Sequence, residues 1–186
     1  MKITIQEQDY TAALDAAHPL TIERKLNAPS LCQLWLSLSA SGSLAVPSRF
    51  QSLAVTGDDG TLYFTGYIVT SPLPEYSGLA LEGPRYRTAI QALSDEMLLD
   101  QLLMPPSAGS TGETAGALLA SLVTHSGSTA LSTSGLVLGT AVGNFVPARG
   151  ANWSQSAGQV ASAARAAYHA LNGSLSLTSV QALCIR

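Results

Sequence analysis

The sequence predicts an α+β chain: an antiparallel β-barrel over residues 1–92, then a small α+β domain over residues 93–186. Two observations carry that prediction. Up to about residue 92 the apolar residues alternate with period two, which is the strand signature, between turns rich in Gly, Pro, Asn and Asp. From Ser94 onward helix caps and 3.6-residue stripes appear instead. A length of 186 residues is enough to bury a substantial core in one large or two small domains.

The organising stretch is Gln51 to Tyr76, read as a long hairpin with an acidic turn. Leu53 and Val55 alternate before the turn, and Gly57-Asp58-Asp59-Gly60 supplies its chemistry: Asp bonds its own backbone and Gly takes the positive φ. After the turn Leu62, Phe64 and Ile68 share one face, with Tyr63, Tyr67 and Val69 on the other. This second strand is therefore expected to be central and covered on both faces. Before it, strands are expected at Lys2–Ile5, Leu20–Leu26 and Leu31–Ser39, with Asp9–His18 ambiguous. On Leu31–Ser39, Cys32, Leu34, Leu36 and Leu38 face one way. After Pro72 and Pro74 come a weak strand at Gly78–Leu81 and a better one at Arg85–Ala92. About six or seven antiparallel strands suffice to close a small barrel or sandwich.

In the second half a short helix is expected from Ser94 to about Leu103, with Asp95 and Glu96 in its first turn facing the helix dipole. Residues 104–109 read as a loop. Ser110 and Glu113 match a capping box for a helix with Ala115, Leu118, Leu119, Leu122 and Val123 on one stripe, ending near Gly127. Short strands are expected near 136–138 and 144–146, and a second helix from Asn152 or Ser154. Asn172-Gly173 is either a helix stop or a two-residue hairpin turn. We favour the hairpin, which pairs Ala170 with Leu175 and Tyr168 with Leu177.

Composition narrows the function. Hydrophobic residues make up 46% and charged residues 11%, against roughly 25% charged in an average domain. So few charges suit a subunit that hides surface in an assembly. Nine Lys and Arg, scattered under a net charge of −3, provide no footprint for nucleic acid. No apolar run reaches the ~18 residues of a membrane span. The polar N-terminus lacks a signal peptide's apolar core, so cytoplasmic synthesis is expected.

Catalytic signatures are missing from the sequence: no GxSxG, HExxH or CxxC, and no compelling acidic pair. The Gly109–Gly116 stretch resembles a phosphate loop but has no Lys after its glycines, so it reads as a loop and cap. Asp58 and Asp59 are too few ligands for Ca²⁺. His18, His125 and His169 stand in unrelated contexts, with His125 at a helix end. Cys32 and Cys184 lack metal spacing, and Cys32 reads as a buried hydrophobe. We expect no catalytic, cofactor-binding or metal residues and no enzyme activity.

The order of several pieces resembles the N-terminal part of phage baseplate hub proteins, the tail hub or late-control type. They are Ile22 to Ser30 leading into Leu31–Leu38, Leu62-Tyr63-Phe64-Thr65-Gly66-Tyr67-Ile68, Tyr86 to Asp100, Thr114-Ala115-Gly116, and Trp153-Ser154 running into Tyr168–Leu177. Members of that family usually carry an Asp-rich turn in the last hairpin, where this chain has Asn172-Gly173. They also continue into a second barrel, for which no sequence remains here. The resemblance implies a tail-tube-like split barrel plus an insertion domain. It also implies a trimeric ring that links the tail tube to the spike or tip, made in the bacterial host cytoplasm and built into the virion tail of a phage or prophage. The alternative is a non-catalytic module that binds carbohydrate or peptide, with Trp35, Tyr63 and Tyr67 as its aromatic platform.

Overall fold

In a computed structural model, residues 1–81, 83–101, 109–147 and 150–183 are described. The fold is α+β, and it divides into two compact units, each with its own core. The first comprises Met1–Arg24 and Ser30–Ser94; the second comprises Lys25–Pro29 and Asp95–Arg186.

The first unit is an antiparallel sheet of β1 (Lys2–Ile5), β2 (Gln8–Asp9), β3 (Thr21–Glu23), β4 (Leu31–Ser39), β5 (Ser52–Thr56), β6 (Leu62–Ile68), β7 (Glu75–Ala80) and β8 (Gly83–Ser94). The order is β2-β1-β5-β6-β8-β4-β3, with β7 also on β8. The alternation read in the sequence is obeyed. Cys32, Leu34, Leu36 and Leu38 are buried on one face of β4, and Leu53 and Val55 on β5. The acidic turn also forms as expected: Gly60 sits at φ +81, and Asp59 accepts from the Thr61 amide and hydroxyl at 2.9 and 2.8 Å.

Two expectations need correction. β6 is not covered on both faces, because Phe64, Gly66 and Ile68 are buried while Tyr63 is 42% exposed. The central strand is β8, which is longer than the expected Arg85–Ala92. One edge of β8 pairs with β4 over nine consecutive residues, Leu31↔Leu93 to Ser39↔Arg85. The other edge pairs first with β6 (Gly66↔Ser94 to Ile68↔Ala92) and then with β7 (Glu75↔Arg87 to Ala80↔Gly83). β6 and β7 thus run along one edge, interrupted where Pro72 and Pro74 have no N–H to give a ladder.

The second correction concerns closure. The described pairings end at β2 and β3, so the sheet is open where a closed barrel was expected. An irregular segment links the two sides instead. The Tyr10 amide donates to Ile3 on β1, and Leu14 bridges to Leu36 on β4. Asp15 fixes the far end: its amide donates to the Trp35 carbonyl at 2.9 Å, and its carboxylate lies 3.0 Å from His18 Nδ1. Arg87 Nε on β8 is 2.6 Å from the same carboxylate, close enough for an ion pair although not aligned as a hydrogen bond. The Ala17 amide, the His18 ring and the Arg87 charge hold the Asp15 carboxyl below its ordinary value against a desolvation penalty.

The second unit holds β9 (Ser110–Thr111), α1 (Ala115–His125), β10 (Ser132–Gly135), β11 (Asn144–Phe145), α2 (Trp153–Ala163), β12 (Ala166–Leu171), β13 (Ser174–Ser179) and the short α3 (Val180–Leu183). The helical stripe of α1 is buried as read. Its cap, however, is Thr114, whose hydroxyl accepts from the Ala117 amide, while Ser110 is drawn into β9 by pairing with Phe145. α2 starts at Asn152 in a full capping box with Gln155. The β12–β13 hairpin forms with the expected register, and Asn172 and Gly173 at φ +53 and +67 make its two-residue turn. The 136–138 stretch is not a strand, although Leu138 accepts from the Gly116 amide.

The segment Asp95–Gln101 is a 3-10 helix, not the start of an α-helix, and its acids serve backbone amides. Asp95 accepts from Gly173 N at 3.0 Å in the hairpin turn, and buried Glu96 from Ala170 N on β12 at 2.5 Å. Asp100 takes the amide and hydroxyl of Ser154 at 2.8 and 2.5 Å, at the start of α2. Asn27, in the left-handed region at φ +55, adds a fourth tie. Its side chain accepts from Tyr168 N and donates to Ala166 O, matching the spacing of a strand partner. The Tyr168 hydroxyl in turn donates to the Asn27 carbonyl at 2.8 Å, and burial pushes its phenol pKa up. The end of the expected helix near Leu103, loop residues 104–108 and Cys184 lie outside the described residues.

Two glycines mark close approaches. A Cβ at Gly66 would lie 2.1 Å from the Leu93 carbonyl oxygen, and one at Gly116 would lie 2.3 Å from that of Leu136. Gly66→Ala is expected to lose about 1–3 kcal/mol by overpacking, read by urea unfolding. Asn27→Ala is expected to lose about 1–3 kcal/mol through unpaired groups on β12, with hydrogen exchange quickening at Tyr168. Because the Asp15 pKa is depressed on folding, its contribution is present above roughly pH 4 and lost as pH falls through the folded value. Asp15→Asn should therefore lower Tm at pH 7, with the difference from wild type shrinking as pH falls through the depressed folded value.

Candidate interaction surface

Among the described residues no group of three or more His, Cys, Asp or Glu could hold a metal ion. Asp58 is 92% exposed at the rim of the acidic turn, and Asp59 is spent on Thr61. The Gly109–Gly116 stretch becomes β9 and the cap of α1, with Gly109 against Val146 and Gly116 against the Leu136 backbone. The Gly112, Ala115 and Gly116 amides donate to the Gly143, Thr140 and Leu138 carbonyls and so do not point free into a loop. His125 is the last residue of α1. Cys32 is 1% exposed, and desolvation pushes its thiol up to about 12, so it packs as a small hydrophobe.

One Ser/His contact forms that the sequence did not announce. Ser176 Oγ on β13 lies 3.2 Å from the ring of His169, its cross-strand neighbour on β12. His169 is exposed, and Ser176 also points at the His169 backbone carbonyl at 3.3 Å. This is a cross-strand pair on an outer strand face, with buried Leu175 and Leu177 on the other side. It has the parts of a nucleophile and base on an exposed strand face.

The aromatic platform does not assemble. Trp35 pairs with Ala89 and Tyr67 with Leu93, which are four residues apart on β8, about 13 Å at strand spacing. Tyr63 is four residues further along β6, beyond the last β8 pair. The Trp35 ring is instead covered by His18, with centroids 5.0 Å apart and planes tilted by 33°.

What the structure does bring together is apolar and exposed. The alternating inner row of β8, with Thr88, Ile90 and Ala92 buried, continues to Tyr86 and Pro84. Across from these, β7 places Tyr76 and Leu79, so the β7–β8 hairpin carries the core-facing pattern out past the core. Tyr76 and Tyr86 meet edge to face at 6.0 Å. Leu73, Tyr76, Leu79 and Leu81 are 77, 65, 77 and 109% exposed. The opposite face carries Glu75, Arg85 and Arg87. Beside the hairpin lies an open cleft of about 440 Å³ lined by Leu44, Ala45, Val46, Pro74 and Tyr86 together with small residues of the 39–43 loop, none of them charged. The sequence signal was there in Leu73, Leu79 and Leu81, but a short apolar strand between prolines and glycines reads equally well as buried.

No family model matches this chain, and no curated protein matches it. Among solved structures it is similar to the prophage MuSo2 43 kDa tail protein from Shewanella oneidensis, at 13% identity and a TM-score of 0.67 over 95% of this chain and 52% of that one. It is also similar to the tail protein from Neisseria meningitidis MC58, at 12% identity and a TM-score of 0.67, over 95% of this chain and 49% of that one. This chain therefore spans about half the length of these tail proteins, and at such identities the likeness is one of fold.

Proposed function

We propose that this chain is a non-catalytic structural component of a phage or prophage tail. It assembles with copies of itself into a ring at the baseplate hub, joining the tail tube to the tip apparatus. The observation that carries this reading is the fold shared with two tail proteins over 95% of the chain. A sequence with only 11% charged residues and an exposed apolar hairpin support it, because assembled subunits bury such area. Residues 1–92 and 93–186 act in this proposal as a barrel-like domain and an insertion domain. The ring is trimeric, and the chain is made in the host cytoplasm before incorporation in the virion tail.

The test is genetic and microscopic. Purified particles are expected to contain the chain, with antibody label confined to one end of the tail. Deleting its gene is expected to leave heads without completed tails, counted by negative-stain microscopy. Complete, infectious tails assembled without the chain would sink the proposal.

A further inference from the structure

The hairpin and the cleft beside it form a complementary pair on one chain. Leu79 and Leu81 project from the hairpin's tip end at 77 and 109% exposure. The cleft, bounded by Leu44, Ala45, Val46, Pro74 and Tyr86, is apolar and carries no charged side chain. The hairpin cannot fill its own cleft, because Pro74 and Tyr86 lie at its base while Leu79 and Leu81 lie at its far end, held apart by the Glu75↔Arg87 to Ala80↔Gly83 pairing. Resting on the self-assembly reading above, we propose that the tip leucines of one copy seat in the cleft of the next copy.

Three arguments favour a second copy as the occupant. Two exposed leucines at the tip and an apolar hole without charged side chains on one molecule are both supplied at once by identical chains. Such a contact joins two different surfaces, so it is heterologous, and it closes into a ring when the rotation between copies allows. Exposed apolar side chains also stand on both sides of such a contact: Leu79 and Leu81 form the knob, while exposed Leu73 adjoins Pro74 and exposed Tyr76 meets Tyr86, two residues that line the hole. Finally, among the described residues β7 pairs with β8 alone, so its outer edge offers backbone groups to whatever covers the hairpin.

The test uses the full chain in light scattering after size exclusion, over about a hundred-fold concentration range. A knob variant carries Leu79→Glu and Leu81→Glu, and a hole variant carries Val46→Arg. Both change exposed side chains, and circular dichroism with thermal melting checks that each still folds. Wild type is expected to form a closed oligomer, and each variant alone a monomer. An equimolar mixture of the two variants retains one intact knob and one intact hole, so it is expected to stop at two copies.

Wild-type oligomers that persist in both variants would overturn the hairpin contact while leaving ring assembly standing. A mixture that stays monomeric would also overturn it. Wild type that is monomeric throughout would overturn self-association by this surface. The tail role itself is decided separately, by the particle experiment.

Discussion

In the first unit β4, β6 and β7 all take their place from β8. It is paired on both edges, with β4 over nine residues on one side and β6 and then β7, with a gap between them, on the other. The close fit at its C-terminal end needs the missing side chain of Gly66, since the Leu93 carbonyl occupies the space a Cβ would take. Twelve residues of strand thus set the register of β4, the stagger of β6 and the projection of the hairpin. The core follows, because Leu34, Leu36, Ile68 and Ile90 all hang from strands that β8 aligns.

The second unit is organised by polar groups more than by its sheet. Its three-stranded sheet is small, and β10 pairs only irregularly with β13. Three carboxylates from one 3-10 segment reach a hairpin turn, a strand and a helix start, and each accepts a backbone N–H there. Charge-assisted bonds of this kind are about twice as strong as neutral ones, and they specify position as well as energy. Asn27 does the same for β12 from a distant part of the sequence. The Trp153 ring, fully buried and edge-on to Tyr168 at 5.0 Å, fills the space these ties enclose.

Much of this was legible in the sequence. β4, the acidic turn, the stripe of α1 and the Asn172-Gly173 hairpin all come from local pattern, and local pattern decided them. The misses share one cause: long-range pairing. Nothing near Tyr63 or Tyr67 says that this face of β6 is left partly exposed. Ser110 has a fair local claim to cap a helix, but pairing with Phe145 takes it into a strand. Asp95 and Glu96 read as dipole partners because acids favour a helix's first turn, whereas their real partners lie more than 70 residues away. The residues behind the family resemblance prove to be packing and tethering residues: Asn27, Gly66, Gly116, Trp153 and Ser154. The exposed hairpin stayed hidden because apolar alternation specifies a face, and only the fold shows whether anything covers it.

The break at Pro72 and Pro74 has a dynamic consequence. Two prolines without amide hydrogens separate the Gly66–Ile68 ladder from the Glu75–Ala80 ladder on the same edge of β8. Cooperative opening propagates along contiguous hydrogen bonds, and on this edge the run is cut, whereas β4 holds the other edge of β8 without a break from Leu93 to Arg85. β7 can therefore fray and re-form locally while β8 stays paired to β4 and Ile68 and Ile90 stay closed in the core. A projecting element that adjusts locally without loosening its base can adapt its shape to a neighbour during docking at little risk to the fold.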